Sequence, residues 1–216
     1  MTLKLYCFGE SGNAYKAALA LELSGLDWAP VKVDFFNGET RGEAYRRDVN
    51  EMGEAPVLLD EASGYRLSQS GAIMDYVAET SGKLMPEDPV QRREVLRWMF
   101  WDNHKLSGVA GMCRFLMNFL PEEKRPAEVI AFTQGRLKAA YQVLDRHLEG
   151  RDWIVGDAVS LADLCCCGYL FYPEPFGFVR ADWPNIDRWL DGIAALPGWK
   201  HPYDLMPGSP ADRAAT

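Results

Sequence analysis

Apolar and polar residues alternate through Leu3-Lys4-Leu5-Tyr6-Cys7, which sets Leu3, Leu5 and Cys7 on one face and predicts a β-strand. Over residues 13–24 the period lengthens: Ala14, Ala17, Ala18 and Leu21 recur at helical spacing, and Gly25 supplies the stop. Alternation returns over residues 28–34 through Val31 and Val33, so the chain opens with a predicted right-handed βαβ unit of parallel strands. A polar helical patch over 41–49 follows. Pro56-Val57-Leu58-Leu59 and Tyr65-Arg66-Leu67 then flank Asp60-Glu61-Ala62-Ser63-Gly64, a hairpin signal, and a helix over 70–80 carries Ile73, Tyr76 and Val77 on one side. The order βαβ-α-ββα over residues 1–80 is too small for a doubly wound sheet and fits a thioredoxin-like domain.

The pattern changes at Ser81-Gly82-Lys83-Leu84-Met85-Pro86-Glu87-Asp88-Pro89, whose prolines, glycine and charges read as a linker over 81–89. Beyond it only helical periods recur. One long, aromatic-rich helix is predicted over 88–119, with Trp98, Phe100, Trp101, Phe115 and Phe119; Pro121 separates it from another over 127–148. A third begins at Ser160, where Ser160 and Asp163 form an S-x-x-D capping box and Val159 and Leu164 stand at the positions of a hydrophobic staple. A fourth over 184–195 stops at Pro197-Gly198, and the Pro/Gly/Ala-rich tail over 207–216 is expected to fray. The expected architecture is therefore α/β plus all-α: a small α/β domain over 1–80, a linker, and an all-helical domain over 90–216 that ends in the tail.

Charge narrows the partners. Thirty-one acidic against 23 basic residues leave −8, a field that disfavours nucleic acid and anionic membranes. The most apolar run, 164–173, falls well short of the roughly 20 residues a membrane span needs. The first residues lack the apolar stretch of a secretory signal, so the expected compartment is the cytoplasm. Five cysteines fit that compartment: Cys7, Cys113 and the run Cys165-Cys166-Cys167 form neither C-x-x-C nor a zinc-finger spacing. Successive helical side chains point about 100° apart, so three neighbours cannot converge on one metal ion, and the run reads as core packing.

The candidate chemistry lies in Phe8-Gly9-Glu10-Ser11-Gly12-Asn13-Ala14-Tyr15, between the first strand and the first helix. It is not a nucleophile elbow, since G-x-S-x-G ends here in Asn13. Nor is it a phosphate loop, since Tyr15 stands where the lysine belongs. By itself the stretch is a turn with a helix cap.

Taken with three further stretches it becomes more. LYCFGESGNAYKAALALELSGLDW, NEMGEAPVLLD, LSQSGAIMDYVAE and VSLADLCCC, in this order and spacing and followed by WPNIDRWLDGIAALPGW, resemble the landmarks of the cytosolic glutathione transferases. The likeness is to bacterial members of the serine type, theta- or nu-like. It implies that Ser11 donates a hydrogen bond to the glutathione sulfur and that Asn13 assists or replaces it. Thr40 and Arg41 then lie where the glycine end binds. Glu54, Ala55 and Pro56 (the cis-proline position) form the glutathione-binding loop, in which Ala55 offers its backbone to the cysteinyl part, and Gln69 and Ser70 hold the γ-glutamyl end. Many members have Glu in place of Gln69, and taken alone Ser70 reads as a plain helix cap. Ser160 and Asp163 match the family's structural cap. Trp101, His104, Met112 and Phe115 are the candidates for the electrophile cleft, placed in this family between the first domain and the long helices.

The implied enzyme has glutathione as co-substrate, no resident cofactor, no metal, a small hydrophobic electrophile as second substrate, and a homodimeric, cytoplasmic, detoxifying role. Two rivals stay open on sequence: glutathione-dependent reduction of disulfides or peroxides, and a binding or scaffold protein that keeps the fold without turnover. No cysteine stands at position 11 or 14, so a reductase would have to use glutathione's own sulfur.

Overall fold

A computed structural model of the chain describes residues 2–208. The chain divides into two compact units, residues 2–84 with 197–208, and Met85–Leu196. In the first, strands β1 (Leu3–Cys7), β2 (Trp28–Lys32), β3 (Val57–Asp60) and β4 (Arg66–Ser68) form one mixed sheet in the order β2-β1-β3-β4. β1 pairs parallel to β2, with Leu3 opposite Trp28, and antiparallel to β3, with Leu5 opposite Leu58. Pro30 lies in β2, an edge strand, where a missing N–H costs no ladder bond on the open side. The alternation read from the sequence holds: Leu3, Leu5 and Cys7 are buried.

Helix α1 (Gly12–Ser24) is buried on nearly every side, with Ala14, Ala17 and Ala18 small enough to let it lie close to its neighbours. It ends at Gly25, whose positive φ lets its N–H reach the Glu22 carbonyl. A short turn of 3₁₀-helix (Glu39–Arg41) leads into α2 (Glu43–Asp48), and α3 (Ser70–Ser81) packs on α1.

In the helical unit α4 (Pro89–Trp101) is capped by the Asp88 carboxylate, which accepts from the Gln91 N–H at 2.8 Å. The single long helix expected over 88–119 is interrupted: residues 102–107 widen into a π-helical turn before α5 (Gly108–Asn118) resumes. The buried Asp102 carboxylate stands in that turn and accepts from Ser107 Oγ at 2.8 Å and Cys165 Sγ at 3.3 Å. All five cysteines are reduced and buried, as the core reading of the triple run expects. Helix α6 (Ala127–His147) follows the predicted span closely, and α7 (Leu161–Cys166) and α8 (Pro184–Ala194) complete the unit. No helix among the described residues is long and apolar enough to cross a membrane.

Asp163 joins three parts of this unit. Its carboxylate accepts from the Ser160 N–H and Oγ, closing the capping box, and from the Ile154 N–H and the Trp189 Nε1–H, all within 3.0 Å. These bonds fasten the loop before α7 and the buried face of α8 onto one group.

The chain end departs from expectation. Residues 197–208 belong to the first unit rather than the helical one, because they carry a short helix α9 (Pro202–Leu205) packed on α1. Pro207 and Gly208, expected to fray, are held instead: the Pro207 carbonyl accepts from the Gly9 N–H at 2.6 Å. The rest of the predicted frayed tail, 209–216, lies outside the described residues.

Two stability predictions follow from these contacts. Asp163→Ala strands four buried donors and is expected to destabilise the protein by about 3–5 kcal/mol; a urea midpoint within error of the parent would contradict the hub. His147, at the end of α6, bonds the Ile154 carbonyl at 2.8 Å and lies against the Trp98 ring, and burial pushes its imidazole below its usual range. Its folded-state pKa is thus below the unfolded one, near 6.5, so its contribution is present above about pH 6.5 and is lost as the pH falls. His147→Gln is expected to flatten that part of the urea-midpoint curve, and an unaltered curve would refute the assignment.

Candidate active site

The β1–α1 turn builds the first part of the site. Ser11 is the N-cap of α1: it has extended backbone angles, and its Oγ accepts from the Ala14 N–H at 3.1 Å. A serine hydroxyl has one hydrogen and two lone pairs, so the cap uses a lone pair and leaves the hydrogen to donate. Among the described residues it donates to nothing. The next two backbone N–H groups, of Gly12 and Asn13, likewise have no acceptor there, as the first turn of a helix leaves them. Asn13 follows with its Oδ1 buried and unpartnered. One turn therefore presents a hydroxyl hydrogen, a carboxamide and a helix's positive end.

The second part is the loop before β3. Asn50 Nδ2 and Tyr45 Oη both donate to the Glu54 carbonyl at 3.0 Å, which pins the loop to α2. Gly53 is required there by its positive φ and by space: a Cβ would stand 2.6 Å from the Arg46 guanidinium and 2.8 Å from the Thr40 carbonyl. The Ala55–Pro56 peptide is cis, as expected at this place. Ala55 packs on the cluster of Phe8, Val33 and Tyr45, which ties the loop to the segment that carries Ser11. Thr40 is buried, whereas Arg41 is exposed at the end of its 3₁₀ turn.

Gln69 closes this group from the β4–α3 junction, where its Nε2 donates to Glu54 Oε2 at 2.9 Å. Its φ of 70° is rare for a residue with a Cβ and costs about 1–3 kcal/mol, the kind of strain found at ligand sites. Nothing in the sequence signals it. Ser70 corrects an expectation: it is not the cap but the first helical residue, and Gln69 occupies the cap position without a side-chain cap bond. The start of α3 thus keeps its N–H groups uncapped by a side chain.

A cavity of about 520 Å³ is lined by Phe8 and Glu10, which precede Ser11 in the chain. Phe8, whose carbonyl accepts from the Ser11 N–H, stacks on Phe35 at 4.6 Å, and Phe36 stands edge-on to both. Glu10, Asp34, Glu39 and Lys32 supply the charges around these rings, and Pro207 and Gly208 close one side. Sequence reasoning missed this cavity. The available signal was the pair Phe35-Phe36 set between Asp34 and Asn37 just past a strand, large rings where a polar turn is the rule.

The four electrophile candidates lie in the helical unit. Trp101 is half-buried against Trp98, His104 is exposed in the π-helical turn, and Met112 and Phe115 are exposed on α5, the latter stacked on Phe119. Neither Cys7 nor Cys113 offers a nucleophile: burial pushes the Cys7 thiol up to about 12 and raises Cys113 too.

Comparison with known proteins agrees with this fold. Family models of the glutathione S-transferase N-terminal domain and C-terminal domain match residues 1–79 and 110–197. The chain is 32% identical to a maleylacetoacetate isomerase of Pseudomonas aeruginosa, over 97% of its own length and all of the relative's. A crystal structure of a glutathione S-transferase from Xanthobacter autotrophicus superposes with a TM-score of 0.85 at 30% identity, covering 98% of this chain and 99% of that one. A glutathione transferase of Burkholderia graminis, solved with two glutathione molecules per subunit, matches with a TM-score of 0.81 at 28% identity over 91% and 85% of the two chains. A thioredoxin-like unit with a serine-capped first helix, a cis-proline loop and a helical unit, matched along its length by these proteins, makes this chain a member of the glutathione S-transferase family.

Proposed function

We propose that this glutathione transferase uses the Ser11 hydroxyl to hold glutathione as its thiolate for attack on a small apolar electrophile. The observation that carries the reading is the double use of Ser11: its oxygen caps α1 while its hydrogen remains to be donated. A free thiol titrates near 8.5, so it is largely protonated at neutral pH. Lowering that value by about two pH units requires about 2.7 kcal/mol. One hydrogen bond to a charged sulfur, with the N–H groups of Gly12 and Asn13 at the positive end of α1, is of that size. Asn13 adds a carboxamide that can turn its Nδ2 toward the same sulfur. The thiolate then forms the C–S bond, and the leaving group departs with the electron pair of the bond it breaks.

The remaining residues place the tripeptide. Ala55, beside Pro56 and just ahead of β3, offers its backbone to the cysteinyl part as an added strand does. Ser70 and the start of α3 take the γ-glutamyl carboxylate. Glu54, brought to Gln69 by their hydrogen bond, supplies the negative charge for the ammonium that a glutamine at 69 lacks. Thr40 and Arg41 are assigned the glycine end, with the exposed guanidinium meeting its carboxylate. The electrophile is assigned the cavity at Phe8, Phe35 and Phe36, with Trp101, His104, Met112 and Phe115 of the helical unit kept as the other candidates for its contacts.

The enzyme is read as a cytoplasmic, detoxifying homodimer with no resident cofactor. The charge of −8 supports a role apart from nucleic acid and membrane, and Phe100, 72% exposed on α4, supports a partner copy.

The test is conjugation of a generic aryl chloride at saturating glutathione. Ser11→Ala is expected to lower kcat/KM about 10- to 100-fold and to cost about 1 kcal/mol in stability through the lost cap. Ser11→Thr, which keeps both hydroxyl roles, restores most of each, and Asn13→Ala lowers the rate by less. If Ser11→Ala and Asn13→Ala both conjugate at the parental rate with glutathione still bound, the thiolate assignment fails.

A further inference from the structure

The cavity lined by Phe8, Glu10, Phe35 and Phe36 carries charge as well as rings. Its described lining includes the exposed carboxylates of Asp34 and Glu39, the nearly buried Glu10 and the exposed ammonium of Lys32. Glu39 Oε2 accepts from the Asp34 N–H, and both oxygens of Asp34 accept from Asn37 Nδ2 at 3.0 and 2.9 Å. Neutral donors of this kind fix a carboxylate in place without cancelling its charge. Glu10 is 5% exposed, and its Oε2 occupies the space a side chain on Gly208 would need, 2.8 Å from such a Cβ.

The rings and the carboxylates make different demands on an occupant. Phe35 and Phe36 are half-buried and Phe8 nearly buried, so the three present ring surface to the cavity. Flat apolar groups gain from stacking or edge contact there. A carboxylate or sulfonate on such a group would be brought toward Asp34 and Glu39, and like charges so juxtaposed oppose binding. Among the described lining residues, Lys32 is the one cation set against these two carboxylates.

From this we infer that the cavity selects by charge: it accepts an aromatic second substrate that is neutral or cationic and rejects one that bears a carboxylate. The inference rests on the reading that this cavity holds the electrophile, and it deepens that reading by naming the substrate class.

The test uses the whole protein and two chemically synthesised conjugates of glutathione, each carrying a nitrophenyl group on sulfur, one with a para-carboxylate and one with its methyl ester. Their dissociation constants, measured by calorimetry, report the selection without turnover. The ester is expected to bind about tenfold more tightly than the carboxylate. The ratio falls to about twofold in the double variant Asp34→Asn with Glu39→Gln, whose amides keep the acceptors for Asn37 and the Asp34 N–H. It falls likewise in the unmodified protein at about 0.5 M salt, a readout independent of whether the variant folds. Equal affinities in the parent protein overturn the inference. So does a preference that neither the variant nor salt reduces, and so does failure of both conjugates to bind. If the conjugates bind with the stated preference but the corresponding aryl chlorides are not turned over, the charge selection stands and the transferase reading is what fails.

Discussion

The bond from the Ala14 N–H to Ser11 Oγ is the constraint on which the site depends. It starts α1 at a defined residue and fixes the serine oxygen at the positive end of the helix. It also consumes an acceptor position rather than the hydroxyl hydrogen. Structural and chemical demands on the residue are therefore compatible: the group that closes the helix is the group that can donate to a sulfur. An aspartate in this place would cap equally well but would bring a negative charge to a site proposed to stabilise one. Alanine would do neither.

Everything around that turn holds it still. Its Gly9 N–H is taken by Pro207, its Phe8 ring by Phe35, and its continuation α1 is buried between neighbours that include α3 and α9. The loop at Ala55–Pro56 is anchored separately, by Tyr45 and Asn50 on the Glu54 carbonyl, and meets the same aromatic cluster. Two backbone segments distant in sequence are thus held by independent bonds against one packed group. Preorganised donors are effective because no reorganisation accompanies the reaction.

Much of this was legible in the sequence, and the reasons differ by element. β1 and α6 declare themselves because one face of each is apolar at the element's own period, α1 because small and apolar residues recur at helical spacing, and Gly25 and the Ser160–Asp163 box are local signals that act within a turn. The candidate site residues 11, 13, 40, 41, 54, 55, 56, 69 and 70 come from resemblance to a family; in isolation Ser11 reads as an ordinary cap. What was not legible depends on contacts between distant segments. The π-helical turn at 102–107 has no local marker, because Asp102 is accommodated by Cys165 from elsewhere in the chain. Gln69 adopts a left-handed backbone that its side chain does not announce. The fixing of Pro207 on Gly9, and with it the cavity rim, joins the two ends of the described chain.

The central claim is that the Ser11 turn lowers the pKa of the bound thiol, and the most direct measurement is the ultraviolet absorbance of the glutathione thiolate on the enzyme as a function of pH. The account predicts that bound glutathione titrates about two pH units below the free thiol, and that Ser11→Ala returns it by one or more. A bound thiol that titrates where free glutathione does, or a lowered value that survives Ser11→Ala unchanged, would contradict it.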